Sequence, residues 1–382
     1  MAVPKLRFKE FLGDWSKSTL GNISEIFDGT HQTPKYVDSG VKFVSVENIN
    51  DLYSTDKYIT KDAFDADFKN KPRANDILMT RITAGEIGAT AIVKNDEPLG
   101  YYVSLALIRP NNYCLSGYLN QYISTNIFKN ELHKRIIHTA FPKKINLGDI
   151  NDCEVSYPSK EEQIKIANFL TAVDEKISQL NEQHQLMIQY KKGVMQKIFS
   201  QEIRFKDDNG EEFGEWEEKK LSEIAYITTG SSNREDSHEK NGMYTFFDRS
   251  EDIRTSNKYL FDSEALIIGG EGSIFKPKYF VGKFDLHQRA YAIMEFKNIV
   301  AKYLFYFIEF NHLYFLSVAV GTTVKSLRLP MFENMPVKLP SVDEQFKIAD
   351  FLTAIDKRIE NLARQLEQAK IWKKGLLQQM FV

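Results

Sequence analysis

The sequence predicts a mixed α/β (α+β) chain built as two like halves, each a globular block followed by one long helix. Three observations lead there: a gapless repeat over the helices, a second repeat in the segments that open each half, and strand-like apolar runs confined to the blocks. Pro340–Ala354 repeats Pro158–Ala172 at an offset of 182 residues, and the register holds to the end, Lys192-Gly193 falling on Lys374-Gly375 and Phe199 on Phe381. The openings repeat as well: Leu6-Arg7-Phe8-Lys9 and Gly13-Asp14-Trp15 return as Ile203-Arg204-Phe205-Lys206 and Gly214-Glu215-Trp216. The parts are then residues 1–157 and 201–339 as the two blocks, and 158–200 and 340–382 as the two helices.

Each helix announces its start. Ser159 with Glu162, and Ser341 with Glu344, have the spacing of a capping box. Pro158 and Pro340 keep the preceding backbone extended. Apolar residues then alternate by fours and threes: Ile166, Leu170, Val173, Ile177 and Leu180 in the first copy, Ile348, Leu352, Ile355, Ile359 and Leu362 in the second. That is a heptad seam and predicts a coiled-coil pair; the alternative is two amphipathic helices on separate cores, and matching length and register favour the pair. His184, Lys191 and Lys373 interrupt it. Two like halves join most simply about a pseudo-two-fold axis, which sets the long helices antiparallel. About 40 helical residues span roughly 60 Å, so the blocks are expected at the two ends of a rod.

Within the first block, Gly29–Pro34 is a polar turn before the strand-like run Val41–Val46. Asp76–Arg81 reads as a second strand, with Ala89–Val93 and Tyr101–Ile108 completing a β-rich centre. Tyr118–Ile137 has the apolar spacing of a helix, and the polar loop 139–149 leads back to the long helix. The second block keeps the order. Gly230–His238 is its turn, and Ala265–Ile268 is a strand ending in Gly269-Gly270-Glu271-Gly272. Tyr279–Val281 and Ala290–Phe296 are further strands, and a helix begins at Tyr303-Leu304. The frame repeats closely and the loops diverge, as they would on one scaffold carrying two different reading surfaces.

Charge narrows the partners. Residues 1–157 carry 19 Lys and Arg against 19 Asp and Glu, and residues 201–339 carry 18 against 22. Neither block has the basic excess of a protein that grips DNA unaided, so a nucleic-acid surface must be local or shared with a partner. Two cysteines, Cys114 and Cys153, make no disulfide framework and point to a reducing cytoplasm. No signal-peptide pattern opens the chain, and the most apolar run, Tyr303–Val320, contains Glu309, Asn311 and His312, which predicts a buried helix and no membrane partner.

Catalytic patterns are missing. Gly269–Gly272 lacks the third glycine of a dinucleotide loop and the Gly-Lys-Ser/Thr of a P-loop, so it reads as a tight turn that brings backbone close to a neighbour. The histidines show no metal-ligand spacing, and no Asn-Pro-Pro-aromatic or Asp-Pro-Pro-Tyr tetrapeptide occurs. The loops instead hold residue types suited to DNA. Thr30, His31, Gln32, Lys35, Arg81, Thr83, Lys143 and Lys144 are the candidates of the first block. Ser232, Asn233, Arg234, Lys276, Lys278, His287, Gln288, Arg289 and Lys325 are those of the second. Arg, Lys, Asn and Gln supply most base-edge hydrogen bonds, and Ser or Thr often hold phosphates. Any one of these alone is better explained as solvated surface; the set, recurring at corresponding places, carries the reading. At the helix ends, Met195, Ile198, Phe199, Leu376, Leu377, Met380 and Phe381 exceed what one seam buries and are the candidate docking residues for a partner subunit.

The whole chain resembles the DNA-specificity subunits of type I restriction-modification systems. The marks are the repeated Pro-Ser-x-x-Glu-Gln-x-x-Ile-Ala-x-Phe-Leu starts at 158 and 340, the Gly29–Pro34 turn and the Asp76-Ile77-Leu78 strand. The second block departs from the Thr-Pro turn, having Ser231-Ser232-Asn233. The resemblance implies two target recognition domains, each reading one half of a bipartite, asymmetric site in double-stranded DNA. It implies a chain with no catalysis and no cofactor of its own. Two modification (methyltransferase) subunits would carry S-adenosylmethionine, and restriction subunits would use ATP and Mg for translocation and cleavage. The alternatives from other classes are a stand-alone methyltransferase or nuclease, and a structural coiled-coil adaptor.

Overall fold

The computed structural model describes residues 3–238 and 241–382. The chain forms two compact units, Met1–Asn181 with Arg364–Val382, and Glu182–Ala363. The long helices span Lys160–Phe199 and Val342–Gln379, and each is divided between the units. Their pairing is antiparallel: in each unit the N-terminal half of one helix meets the C-terminal half of the other.

In the first unit, a four-stranded antiparallel sheet runs in the order Ser24–Asp28, Leu105–Pro110, Ile77–Thr80, Thr90–Ile92. Both faces of its centre are covered, which is why the central strands Ile77–Thr80 and Leu105–Pro110 read as apolar runs. Ile77 and Met79 point into a core shared with the long helices, while Leu78 points into a second core beside Phe43 and Tyr101. A smaller sheet joins Tyr58–Ile59, Val41–Val44 and Leu99–Tyr101. The single helix expected over Tyr118–Ile137 is two, Ser116–Ile123 and Asn126–His133. Thr125 interrupts it, its hydroxyl accepting the Phe128 N–H at 3.2 Å as an N-cap.

The second unit has a six-stranded sheet in the order Tyr226–Thr229, Ala290–Met294, Phe261–Gly269, Lys278–Leu286, Tyr244–Phe247, Arg254–Ser256. Leu266 and Ile268 face the core with the long helices, and Ala265 and Ile267 face the opposite one. The apolar run near Tyr303 is also two helices, Ala301–Phe310 and His312–Val318. Among the described residues, no helix is long and apolar enough to cross a membrane.

The lysines that interrupt the seam are paired. Lys373 bonds Asp174 at 2.5 Å in the first unit, and Lys191 bonds Asp356 at 2.8 Å and Glu309 at 2.9 Å in the second. Lys373 and Asp356 are the repeat equivalents of Lys191 and Asp174, so one polar contact is made once in each unit. The helix starts differ from a capping box. Ser159 and Ser341 accept the N–H of Glu162 and Glu344 at 3.4 and 3.3 Å, but both carboxylates are taken by arginines, Arg7 and Arg204.

The expected docking role of the helix ends is corrected by their burial. Met195, Ile198 and Phe199 lie in the core of the second unit, where Phe199 stacks on Phe310 at 5.2 Å. Leu376, Met380 and Phe381 lie in the core of the first, Phe381 packing on Tyr118, Tyr122 and Trp15. Leu377 is partly buried against the same core. The surplus over one seam is absorbed by the blocks themselves, which the seam count ignored.

Candidate nucleic-acid interface

One backbone frame brings the candidate loops of each unit together. In the first unit, Thr30 N–H donates to Tyr101 O at 3.1 Å and Val103 N–H to Thr30 O at 2.9 Å. Arg81 N–H donates to Ser104 O at 2.9 Å, Ile145 N–H to Arg81 O at 3.0 Å, and Lys143 pairs with Thr83 in a short antiparallel ladder. In the second unit, Ser232 N–H donates to Leu286 O at 3.2 Å and Gln288 N–H to Ser232 O at 3.0 Å. Gly270 N–H donates to Arg289 O at 2.8 Å, Leu327 N–H to Gly270 O at 2.7 Å, and Lys325 pairs with Gly272. Thr30 thus corresponds to Ser232, Arg81 to Gly270, Ile82 to Glu271, and Lys143 to Lys325.

The side chains on this frame divide into holders and presenters. Arg81 is a holder. Only 7% exposed, it bonds Asp28 Oδ1 at 2.5 Å and the carbonyls of Val103 and Ile145 at 3.2 Å each. It ties the turn, the strand end and the 143–145 segment together instead of offering a free guanidinium, which corrects its expected role. Asp28 Oδ2 takes His31 Nε2 at 2.7 Å, so one carboxylate orients both side chains. Ser232 is the second correction: it is fully buried, its hydroxyl donating to the equally buried Asp285 at 2.6 Å. Lys278 is half-buried, donates to Ser250 O at 2.6 Å, and has its pKa pushed down by that burial. His31, Gln32, Lys35, Lys143 and Lys144 are exposed, with Thr30 and Thr83 half-buried. Asn233, Arg234, Lys276, Gln288, Arg289 and Lys325 are exposed in the second unit.

Several of the second unit's presenters line a basin of ≈ 440 Å³ with Asp248, Arg249 and His287. Gln288 Nε2 donates to Asn233 Oδ1 at 2.7 Å, setting the two amides as one group. The Arg289 N–H donates to His287 Nδ1 at 3.0 Å, so a neutral ring carries its proton on Nε2. Burial first, then Arg249 and Arg289 against Asp248, holds the His287 pKa below its ordinary value. Burial alone would raise the Asp248 pKa. The Ser250 hydroxyl and N–H at 2.5 and 2.8 Å, with Arg234 and His287, outweigh it and keep the carboxylate ionised. This surface offers fixed donors and acceptors. The two thiols, Cys114 and Cys153, are buried and pushed up to about 12 by desolvation.

Sequence reasoning missed Arg249, Asp248 and Glu271. The first two stand just past the end of the strand Tyr244–Phe247, where a side chain is free to meet the neighbouring loops. That position was the available signal. Glu271 was passed over as part of a glycine turn.

Comparison with known proteins agrees with this architecture. The model of the type I restriction modification DNA specificity domain matches residues 13–189 and again 214–370. A putative type I restriction enzyme MjaX specificity subunit of Methanocaldococcus jannaschii is 27% identical, over 98% of this chain and 94% of that protein. The EcoDI specificity subunit of Escherichia coli is 30% identical over 40% of this chain and 34% of its own length. The S subunit of a type I restriction-modification system from M. genitalium shares the fold at a TM-score of 0.67 and 14% identity, over 100% and 99% of the two chains. A chain from a type I restriction-modification assembly does so at 0.54 and 14%, over 96% and 97%. With the domain model matched twice over most of its length, this chain belongs to the type I restriction-modification DNA specificity family.

Proposed function

We propose that this chain is the non-catalytic, sequence-reading subunit of a cytoplasmic type I restriction-modification complex. Each unit reads one half of a bipartite, asymmetric site in double-stranded DNA, and the long helices set the separation of the halves. The observation that carries the reading is the shared loop frame with different side chains: Thr30, His31 and Gln32 in one unit stand where Ser232, Asn233 and Arg234 stand in the other. A shared backbone with exchanged presenters is how one scaffold reads two sequences. The exposed residues at those places are the proposed base and phosphate contacts.

Two methyltransferase subunits would bring S-adenosylmethionine, and restriction subunits ATP and Mg. The repeat itself supports two copies of one partner. Ile164 and Phe346 are repeat equivalents, 49% and 52% exposed, and so are Tyr190 and Trp372, 51% and 53% exposed. Each unit therefore presents one apolar residue near a helix start and one aromatic near a helix end. These four replace the buried helix ends as the proposed docking residues. Large exposed apolar side chains recurring in this way fit a partner surface better than solvent.

The test is methylome sequencing of cells carrying the chain with its modification subunits. One bipartite motif is expected, and exchange of residues 1–157 for those of a related subunit should alter one half-site only. Both halves changing together would refute the one-unit, one-half-site reading. Methyl transfer by the pure chain with labelled S-adenosylmethionine would favour the stand-alone enzyme.

A further inference from the structure

The Gly269-Gly270-Glu271-Gly272 turn is a motif that the frame alone does not account for. Glu271, only 15% exposed, accepts hydrogen bonds from two arginines at once: Arg289 Nη1 on Oε1 at 2.6 Å and Arg249 Nη1 on Oε2. Those two arginine side chains are themselves 59% and 50% exposed, and both residues line the basin. The two glycines make this possible. A Cβ on Gly269 would lie 3.0 Å from Arg249 Cα, and one on Gly270 would lie 2.8 Å from Arg289 O. The backbones of both arginines therefore close on the Glu271 strand only because those side chains are missing.

The frame does not need the acid. In the first unit the equivalent position is Ile82, paired to Lys144 as Glu271 is paired to Ser326, and the same ladder forms. Glu271 is thus spare as far as folding goes, and its two bonds go to exposed side chains. The basin's lining sets Arg234, Arg249 and Arg289 against Glu235 and Asp248, and Glu271 behind the arginines balances the third positive charge. A balanced basin gains little from neutralising phosphates, which reward net positive charge. Arginines fixed by a carboxylate behind one edge, with the remaining N–H groups free in a fork, suit the O6 and N7 acceptors of guanine.

We propose that Glu271 is a positioning residue that holds Arg249 and Arg289 as a paired fork for guanine in the major groove of the half-site read by the second unit. This rests on the reading in which the second unit's loops contact DNA bases.

The test uses the complex of the full chain with its modification subunits. Methylome sequencing first defines the wild-type site, and exchange of residues 201–339 assigns one half to the second unit. Binding is then measured with duplexes in which each guanine of that half is replaced by 7-deazaguanine, which lacks the N7 acceptor. At one or two guanines the replacement should cost the wild-type complex about tenfold in affinity. It should cost Glu271→Gln, Arg249→Lys and Arg289→Lys complexes much less, because their natural-site affinity has already fallen. Guanines of the other half should respond alike in all. Thermal melting of Glu271→Gln checks its fold, and if it misfolds the two lysine variants at exposed positions decide. The proposal is overturned by a second-unit half-site without guanine, by variants that discriminate as wild type does, or by variants that weaken all sequences equally with a shallower salt dependence. A wild-type complex with no sequence preference would instead sink the reading beneath it, an outcome separate from these.

Discussion

Arg7 and Glu162 form a two-bonded ion pair in the first unit, Nε to Oε1 at 2.8 Å and Nη2 to Oε2 at 2.7 Å, with Glu162 only 1% exposed. Arg204 and Glu344 repeat it in the second unit at 2.9 and 2.7 Å. The neighbouring glutamines complete the joint: Gln163 bonds Leu115 N–H, Tyr113 O and Pro158 O, and Gln345 bonds Val300 N–H, Asn298 O and Pro340 O. The repeated Glu-Gln of the helix starts is therefore a staple between the opening segment, the block and the helix.

Removing one partner from such a pair leaves an uncompensated, largely buried charge. Arg7→Ala should destabilise the first unit by about 3 kcal/mol, and the double change Arg7→Met with Glu162→Met should recover most of it. Urea unfolding of the full chain measures both. A double variant as weak as the single one would show that the pair itself, rather than its unpaired remnant, sets the stability.

Phe199→Ala and Phe381→Ala should each cost about 3 to 5 kcal/mol of stability, since both rings fill a core. Tyr190→Ala and Trp372→Ala, at half-exposed rings, should cost much less stability than these core changes and weaken association with the modification subunits. Unfolding curves and pull-downs on the same four variants separate the roles; loss of association without loss of stability in Phe381→Ala would restore the docking role of the helix ends.

With a net charge of −2, the isolated chain should bind DNA weakly at physiological salt, and the complex far more tightly. Titration at several salt concentrations should give a steeper salt dependence for the complex, because the partners supply phosphate contacts. Tight specific binding by the chain alone would contradict this.

Seven residues inserted into both long helices keep the heptad phase and add roughly 10 Å of helix. The half-sites should separate by about three base pairs, at about 3.4 Å each, with some affinity lost because three base pairs also turn the second groove by roughly 100°. An insertion of four residues breaks the heptad and should damage stability first. Methylation mapping reads the gap: an active heptad variant with an unaltered gap would argue against helices as the spacer.

The long helices and the strand-bearing blocks were legible in the sequence because each leaves a periodic trace, and the antiparallel pairing because two like halves imply a two-fold axis. A heptad and a capping serine depend on neighbours three or four residues away, and a two-faced strand shows as a run such as Ala265–Ile268. The turn and loop candidates were also legible as types. Their roles were not. Arg81 and Ser232 look like Lys35 and Asn233 in one dimension, and only the partners brought from far along the chain, Asp28 with Ile145 and Asp285, turn the first two into supports. Phe199 and Phe381 looked like surplus for the same reason: the aromatic residues that bury them, Phe310 and Tyr118, lie more than a hundred residues away in sequence. Residue type and period are local properties, and the sequence alone determined the long helices, the central strands and the turns that depend on them. Burial and pairing are set by contacts across the chain, and those the tertiary structure decided.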